Sequence, residues 1–290
     1  MPKDAPTTLS VVGHCDFPNE NWTVDTLDAI ERPWISFDVY RAQINRPKGP
    51  GRPEDTVVDV VLKMDVVGGR RPVLLKEASI YKGQGRALQG DMLPVFYGCF
   101  EATIEFNTVT CLVLEYCGEP MEKPFRDTDI AFLHEILLAL RAMHRQGITH
   151  GDLHPRNILN YNGQPVFVDL ELATLGHKCG TRIKLVPRTL VPSVREYGCA
   201  EMHDLIYRMG CWEPPVVMFC SRPVGKDGVR SVQDLINYIP KGDHIVNRPE
   251  LEAAAAQIFE QIVEERRITY GSDEGFENGQ RLDIMEELAH

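Results

Sequence analysis

The sequence predicts an α+β protein, in which a strand-rich first part with one helix precedes a mainly helical second part. Two observations lead to this fold class. Between positions 34 and 117, alternating and β-branched apolar runs of strand length recur between turns rich in Gly and Pro. After position 118, apolar residues follow helical spacing instead. The 290 residues suffice for one large domain or for two lobes around one cleft.

The first part alternates strands and turns up to a hinge. Residues 1–33 mix short apolar stretches with Pro, Asn and Asp, and we interpret them as a weakly structured lead-in or a first strand. The predicted elements that follow are strands Ile35–Ile44 and Thr56–Met64, a helix Pro72–Gln84, and strands Leu93–Phe100 and Thr108–Tyr116. The segment from Cys117 to Pro120 is expected to form a hinge.

Helical spacing dominates the second part. From Asp127 to His144, apolar residues recur at steps of three and four, and Gly147 follows as a terminating glycine. Further helices are predicted at Met202–Met209 and Pro249–Arg267, whereas residues 174–198 have the composition of a loop. Residues 271–290 are polar and acidic, so we expect a partly disordered tail.

Composition excludes some classes of partner. With 43% hydrophobic and 25% charged residues, the chain has an ordinary globular composition. Its formal net charge of −11 argues against a general nucleic-acid or anionic-membrane surface. The first residues lack the apolar core of a signal peptide, and no apolar run approaches the length of a membrane span. We therefore expect neither nucleic acid nor membrane as a partner, and a cytoplasmic or nuclear location.

Two polar segments carry the strongest functional signal, Ile-Thr-His-Gly-Asp-Leu-His-Pro-Arg-Asn-Ile-Leu at 148–159 and Val-Phe-Val-Asp-Leu-Glu at 166–171. Asp152 and Asn157 share a polar turn, and Asp169 ends the next strand-like run. Asn157 and Asp169 can hold a divalent cation and leave Asp152 free to orient a hydroxyl. Oxygen ligands suit Mg²⁺, which usually arrives with substrate phosphates. The predicted chemistry is phosphoryl transfer from ATP.

The order His-x-Asp-x-x-x-x-Asn, followed by a metal-binding Asp, resembles the catalytic loop and metal motif of the protein-kinase-like superfamily. Gly-Asp-Leu-His at 151–154 and Asp-Leu-Glu at 169–171 are similar to the aminoglycoside and choline kinase branch, and to fungal protein-kinase-like proteins. The resemblance implies a bilobal protein-kinase-like fold. Its nucleotide-binding lobe, an antiparallel sheet with one helix, would span 34–117, and its mainly helical lobe with the catalytic loop would span 118–270.

The resemblance also implies roles for the residues of the catalytic loop. Asp152 would accept or orient the proton of the acceptor hydroxyl, and Asn157 and Asp169 would hold Mg²⁺. Glu171 would add a metal contact, or be a surface carboxylate. His150 would be a buried structural residue beneath the loop. His154 would either face the transferred phosphoryl group or cap the turn.

In the first lobe, the resemblance implies a lysine that binds the nucleotide phosphates and a helix glutamate that holds this lysine. Lys63 and Glu77, fourteen residues apart, fit these roles. Lys76 is the rival lysine, but only Lys63 leaves a following helix to carry the glutamate. Backbone groups from Glu115 through Tyr116 to Cys117 would meet the adenine.

Outside these segments, two features leave alternatives open. Asp204 resembles a helix aspartate that braces the catalytic loop, and it is equally typical of an exposed acid near a helix N-terminus. A basic cluster could attract an anionic substrate or be a solvated loop; its members are Arg182, Lys184, Arg188 and Arg195.

The sequence departs from the kinase pattern in two places. No Gly-x-Gly-x-x-Gly precedes Lys63, where the chain has Trp34-Ile-Ser-Phe-Asp38 instead, and no Ala-Pro-Glu follows Glu171. Because backbone amides approach phosphates most closely where side chains are absent, weaker phosphate cover is expected. We therefore retain two alternatives to a phosphotransferase with an unidentified hydroxyl acceptor: a pseudokinase binding or scaffold module, and a divergent Ser/Thr protein kinase.

Overall fold

The computed structural model describes residues 7–8, 10–11, 23–30, 37–46, 56–65, 68–104, 107–181, 185–239 and 247–277. The segment Trp34 to Ser36, the basic residues Arg182 and Lys184, and the end of the predicted tail, 278–290, lie outside the described residues. The chain divides into a first unit, Met1–Lys178, and a second unit, Cys179–His290. The predicted lobe boundary at 117 and 118 stays a prediction.

The first unit is built on a seven-stranded antiparallel sheet in the order β1-β3-β4-β5-β7-β6-β2. Its strands are β1 (Thr7–Thr8), β2 (Ser10–Val11), β3 (Thr23–Ala29), β4 (Asp38–Arg46), β5 (Thr56–Asp65), β6 (Phe96–Ile104) and β7 (Asn107–Glu115). The sheet therefore includes short strands from within the segment predicted as a lead-in, residues 1–33.

The alternation of side chains along β5 separates the core from the functional face. Val60, Leu62 and Met64 are buried in an apolar cluster on one face of the sheet. Because successive side chains of a strand point to opposite faces, Val61 and Lys63 lie on the other face, where both line a cavity. The strand thus delivers a buried lysine to a polar site without interrupting the core.

Helix α1 (Arg71–Lys82) follows β5 and packs on the sheet. Pro72 stands in its first turn, where a missing N–H costs nothing. Its buried side is not wholly apolar, because it includes Glu77 and Tyr81 beside Leu74 and Ile80. Glu77 and Tyr81 are one helical turn apart, so the helix directs two polar groups to the same side.

Helix α2 (Ile130–Arg145) begins after Asp129, whose carboxylate accepts a hydrogen bond from the amide of Ala131 at 2.8 Å. The chain reverses at Gly147, which has a φ of 76°. Four short strands follow as two antiparallel pairs, β8 with β11 and β9 with β10. They are β8 (Ile148–Thr149), β9 (Ile158–Tyr161), β10 (Gln164–Phe167) and β11 (Thr174–Leu175).

The second unit combines helices with one hairpin around a small apolar core. Its helices are α3 (Val194–Tyr197), α4 (Ala200–Arg208), α5 (Val232–Asn237), α6 (Arg248–Tyr270) and α7 (Asp273–Glu277), and its strands are β12 (Val216–Phe219) and β13 (Arg222–Gly225). Phe219, Val224 and Ile262 are among the buried core residues. Beside them lies a buried ion pair, in which Lys226 Nζ is 2.5 Å from Glu265 Oε2. Among the described residues, none of the helices combines the length and apolar character that a membrane crossing requires.

The α+β fold class is confirmed, since an antiparallel sheet precedes a series of helices. The four predicted helices are present as α1, α2, α4 and α6, with ends within a few residues of the expected positions. The segment 174–198 is not entirely loop, because it contains β11 and α3. Helix α3 starts at a capping box, in which Ser193 and Glu196 satisfy each other's backbone amides.

Tyr81 is a polar exception in the core of the first unit. Its ring is fully buried and stacks on Phe96 with the ring centroids 5.7 Å apart. Its hydroxyl has no hydrogen-bond partner among the described residues. Burial first, and then the nearby carboxylates of Glu77 and Asp169, raise the pKa of Tyr81 well above its ordinary value. The phenol therefore stays neutral, and in the part of the chain that the structure describes its buried O–H has no acceptor.

Replacing Tyr81 by phenylalanine is expected to raise the free energy of unfolding by about 1 kcal/mol, because it removes a buried polar group that lacks a partner. Urea denaturation would measure the change. Tyr116→Phe serves as control, since the Tyr116 hydroxyl donates to Glu119 Oε1 at 2.6 Å and its loss should not stabilise the fold. A clear loss of stability in Tyr81→Phe would contradict the prediction and indicate that a water molecule pairs with the hydroxyl.

Candidate functional site

The first unit contains a cavity of about 270 Å³ with an apolar region and a charged region. The apolar side chains come from the sheet and from the β9–β10 hairpin: Ile30, Val39, Val61, Leu114, Leu159 and Val168. The charged and polar residues are Lys63, Glu77, Glu115, Tyr116, Glu119, Asp152, Arg156, Asn157, Asp169 and Glu171. A flat apolar group and a polar, anionic group could therefore bind side by side.

Lys63 is held between two carboxylates in the charged region. Its Nζ lies 2.8 Å from Glu77 Oε2 and 2.6 Å from Asp169 Oδ1. Burial on its own lowers the pKa of Lys63, but the charges of Glu77 and Asp169 act the other way and hold this pKa above its ordinary value. Lys63 is therefore a permanently charged ammonium group at neutral pH.

Glu77 connects helix α1 to the Asp-Leu-Glu segment at 169–171 by hydrogen bonds. Besides Lys63, it accepts a hydrogen bond from the amide of Leu170 at 3.2 Å. The rival lysine, Lys76, lies elsewhere: its Nζ donates to the backbone carbonyl of Glu171 at 3.0 Å in an exposed position. The structure thus brings Lys63, and not Lys76, together with Glu77 and Asp169.

Asp152 is surrounded by donors. Its Oδ2 accepts from Arg156 Nη2 and from Asn157 Nδ2, both at 2.9 Å, and its Oδ1 lies 2.8 Å from His154 Nδ1. Partial burial on its own raises the pKa of Asp152, but Arg156 and then His154 act the other way and hold this pKa below its ordinary value. Asp152 is consequently ionised at neutral pH, and it is available to accept a proton or orient a hydroxyl.

Asn157 and Asp169 offer the oxygens that a hard cation prefers. Asn157 Nδ2 donates to both the carbonyl and the side chain of Asp152, which orients Oδ1 as the atom for a cation. Asp169 has a left-handed backbone, with φ 67°, and its side chain remains 39% exposed. Strain of this kind in a non-glycine residue is typical of functional sites. The donor set therefore fits Mg²⁺.

Glu171 lines the same cavity, and its carboxylate pairs with Arg70. The guanidinium of Arg70 also lies over the ring of Phe37, 4.5 Å from its centroid. The same ring is 4.8 Å from Lys63 Nζ. Arg70 and Phe37 were not predicted as site residues, because their contacts join segments far apart in the chain and no spacing rule indicates them.

His150 is a structural residue in the described geometry. It is fully buried, and its Nδ1 accepts from the amide of Asp152 at 3.3 Å. Its Nε2 therefore carries the proton and donates to the carbonyl of Val168 at 3.0 Å. This histidine fixes the catalytic loop to the strand that precedes Asp169.

Gly151 explains why this loop has Gly before Asp152. Its φ is 82°, and a Cβ at this position would be 2.4 Å from the carbonyl oxygen of Leu172. A larger residue would require the backbone to move. The Gly-Asp dipeptide is therefore a consequence of close backbone packing between the catalytic loop and the segment after the metal motif.

Two backbone amides in the segment expected to meet the adenine, Glu115 to Cys117, already have hydrogen-bond partners. The amide of Glu115 donates to the backbone carbonyl of Val95 at 2.9 Å, and the amide of Tyr116 donates to the backbone carbonyl of Asp59 at 3.2 Å. Glu115 and Tyr116 line the cavity, whereas the side chain of Cys117 is buried in a small apolar cluster. Burial first, and then Glu115, raise the pKa of Cys117 to about 12, so its thiol stays protonated.

The remaining sequence-predicted residues lie in the second unit. Asp204 on α4 is an exposed acid that pairs with Arg208 at 2.8 Å. Arg188 and Arg195 are exposed, which agrees with a solvated basic loop in the part of the cluster that the structure describes.

Comparisons with known proteins point to one superfamily. A model of the phosphotransferase enzyme family matches residues 105–177, which include the hinge, α2 and the catalytic loop. The chain is 29% identical over 130 residues to protein kinase PINOID 2 of Oryza sativa subsp. japonica, covering 41% of this chain and 24% of that protein. It is 27% identical over 166 residues to serine/threonine-protein kinase RHS3 of Arabidopsis thaliana, covering 53% of this chain and 31% of that protein.

The chain thus spans about a quarter to a third of the length of these curated relatives. The segment matched by the family model contains the Asp152–Asn157 turn and Asp169, whereas Lys63 and Glu77 lie before it. Together with the antiparallel sheet and the helices that follow it, the matches support membership of this chain in the protein-kinase-like superfamily.

Proposed function

We propose that this protein is an ATP- and Mg²⁺-dependent phosphotransferase that transfers the γ-phosphoryl group of ATP to a hydroxyl acceptor. One observation carries the proposal: Lys63, paired with Glu77 and Asp169, lines the same cavity as the Asp152–Asn157 turn. In the proposed function, Lys63 would be a fixed positive charge, Asn157 and Asp169 would be metal ligands, and ionised Asp152 would face the acceptor. Phosphoryl transfer requires little more than such positioning and charge stabilisation.

The charge of the cavity supports the need for a divalent cation. Six carboxylates line it, and the cations among its lining residues are Lys63 and Arg156. A polyanionic nucleotide would be repelled by this excess of negative charge at short range. Mg²⁺ would supply the charge neutralisation at the phosphates, and Asn157, Asp169 and Glu171 would hold it.

Each residue of the site has a separate role in the proposed reaction. Lys63 would bind the phosphates, and Glu77 would keep its ammonium in place. Asp152 would take the proton of the acceptor hydroxyl while the bond between the γ-phosphorus and the β–γ bridging oxygen breaks. A new bond then joins the γ-phosphorus to the acceptor oxygen, and ADP leaves. The apolar side chains of the cavity would enclose the adenine, with backbone groups from Glu115 to Cys117 at its edge.

The acceptor class is open between a small molecule and a protein. The phosphotransferase family match and the Gly-Asp-Leu-His segment at 151–154 favour a small hydroxyl compound. The names of the two relatives favour a Ser or Thr side chain. We favour the small-molecule acceptor, because the family match covers the catalytic loop itself.

A second candidate function is a nucleotide-binding scaffold without turnover, a pseudokinase. Phe37 favours it, because this bulky ring lies over Lys63 and Arg70 in the segment where kinases have side-chain-free glycines. A less complete cover over the phosphates would weaken transition-state stabilisation more than nucleotide binding.

Thermal unfolding with ATP, with and without Mg²⁺, tests the proposal. At a ligand concentration one hundred times the dissociation constant, we expect the folded state to gain about 2.7 kcal/mol, and only when Mg²⁺ is present. Asp169→Ala is expected to remove the Mg²⁺ dependence, because it removes a ligand. Asp127→Ala, which changes an exposed aspartate that does not line the cavity, is the matched control.

Each outcome of this experiment has a distinct meaning. A shift that survives unchanged in Asp169→Ala would show that any metal binds elsewhere. No shift at saturating MgATP would contradict a nucleotide site and direct the search to protein partners. A magnesium-dependent shift justifies a screen of hydroxyl acceptors by ADP release.

A further inference from the structure

We propose that Arg156 binds the γ-phosphoryl group of ATP and discriminates ATP from ADP. The inference rests on the proposed function and assigns a residue to one part of the substrate. No Gly-x-Gly-x-x-Gly precedes Lys63 to cover the phosphates. Arg156 would instead stabilise the terminal phosphate by its positive charge.

Arg156 lies at the boundary between the acceptor-side carboxylate and the metal ligands. It belongs to the 3₁₀ turn Pro155–Asn157, and its side chain lines the cavity. It is 37% exposed, so a ligand can reach it, and one edge is fixed by the bond from Nη2 to Asp152 Oδ2. In the proposed function, Asp152 contacts the acceptor hydroxyl. A guanidinium bonded to Asp152 would therefore lie next to the γ-phosphoryl group as it passes from ATP to the acceptor.

The remaining donors of Arg156 are unoccupied by the described residues. An arginine has five N–H groups, and the hydrogen bond that the described residues make with Arg156 uses one, at Nη2. The guanidinium therefore keeps further N–H groups for a ligand in the cavity. Its planar fork matches two oxygens of a phosphoryl group at once.

The other cations near the site are more fully engaged. Lys63 has only 9% of its side chain exposed and is already neutralised by two carboxylates. Arg70 pairs with Glu171 and lies against Phe37, and it is not among the residues that line the cavity. Of the two cations among the described lining residues, Arg156 is thus the one whose charge and donors are more available to the terminal phosphate.

Isothermal titration calorimetry of MgATP and MgADP tests the inference in three variants of the full chain. Arg156→Gln is expected to weaken MgATP binding about 10- to 100-fold, the range for loss of a charge-assisted hydrogen bond, and to leave MgADP binding unchanged. Arg156→Lys, which keeps the charge but loses the fork, should give an intermediate ratio. Arg86→Gln, an exposed arginine that does not line the cavity, is the matched control.

Retained MgADP binding also shows that each variant is folded. An unchanged ATP-to-ADP affinity ratio, or an equal loss for both nucleotides, would overturn the role of Arg156, while magnesium-dependent binding by the unaltered protein would still support the proposed function. If Arg156 only positioned Asp152, turnover would fall without any change in this ratio. Absence of nucleotide binding in the unaltered protein would overturn the proposed function and this inference together.

Discussion

Replacing Asp152 by asparagine is expected to lower turnover by about 10²- to 10⁴-fold, the usual contribution of a positioned acid–base group, and to leave the MgATP dissociation constant nearly unchanged. Asp152 is ionised in the folded protein, because Arg156 and His154 outweigh the effect of burial on its pKa. Asparagine keeps the size of the side chain but cannot take the acceptor proton. ADP formation, with the acceptor from the screen or with water, measures the turnover.

Two further measurements make this prediction specific. Calorimetry of MgATP binding separates a role at the acceptor from a role at the nucleotide, and an equal loss of affinity and turnover would contradict the assignment. Asp127→Asn provides the control for the substitution itself, since Asp127 is exposed and does not line the cavity.

Breaking the buried ion pair of the second unit is expected to cost about 3–5 kcal/mol of unfolding free energy, because the remaining charge is left buried and uncompensated. Lys226 and Glu265 are 1% and 6% exposed. The pair is embedded in further bonds, since Arg266 donates to the carbonyl of Val229 and Gln261 donates to Glu265. Lys226→Met and Glu265→Leu, measured by urea denaturation, should each show the full loss.

The double variant Lys226→Met with Glu265→Leu gives the decisive comparison. Two apolar side chains of similar volume leave no buried charge, so the double variant should be much more stable than the sum of the single losses predicts. Additive losses would mean that the two charges are stabilised independently of each other. Glu264→Gln, which affects an exposed pair with Arg267, should leave the unfolding midpoint unchanged within error.

Contacts between residues near each other in the chain were predictable from the sequence. Lys63 and Glu77 are fourteen positions apart on a strand and the helix that follows it, and the resemblance to kinases implied their pairing. Helix α2 was predictable because its apolar residues recur every three or four positions, which puts them on one buried face of a helix. The turn from Asp152 to Asn157 was also visible, since both residues belong to one short polar segment.

Contacts between distant segments were not predictable in the same way. Lys63 also binds Asp169, 106 residues later, and Arg70 pairs with Glu171 across 101 residues. No local pattern records such a pairing, because it depends on how the sheet and the β9–β10 hairpin pack. The sequence suggested a site for Mg²⁺ and phosphate, but it did not reveal that Lys63 and a predicted metal ligand bind each other in the described geometry.

The β12–β13 hairpin was missed for a different reason. Its turn is made by Cys220 and Ser221, which have φ values of 47° and 60°. Such turns usually contain Asn or Gly, because those residues accept a positive φ at little cost. A Cys-Ser turn gives no such signal, so the two short strands on either side were not predicted.

The close approach at Gly151 limits how this catalytic loop can evolve. A side chain at position 151 would meet the backbone oxygen of Leu172, so the arginine that protein kinases have before the catalytic aspartate cannot be introduced by a single substitution. The segment after the metal motif would have to move away first, or at the same time. In this chain, an Arg-Asp loop therefore requires a change at position 151 together with a compensating change in the segment around Leu172.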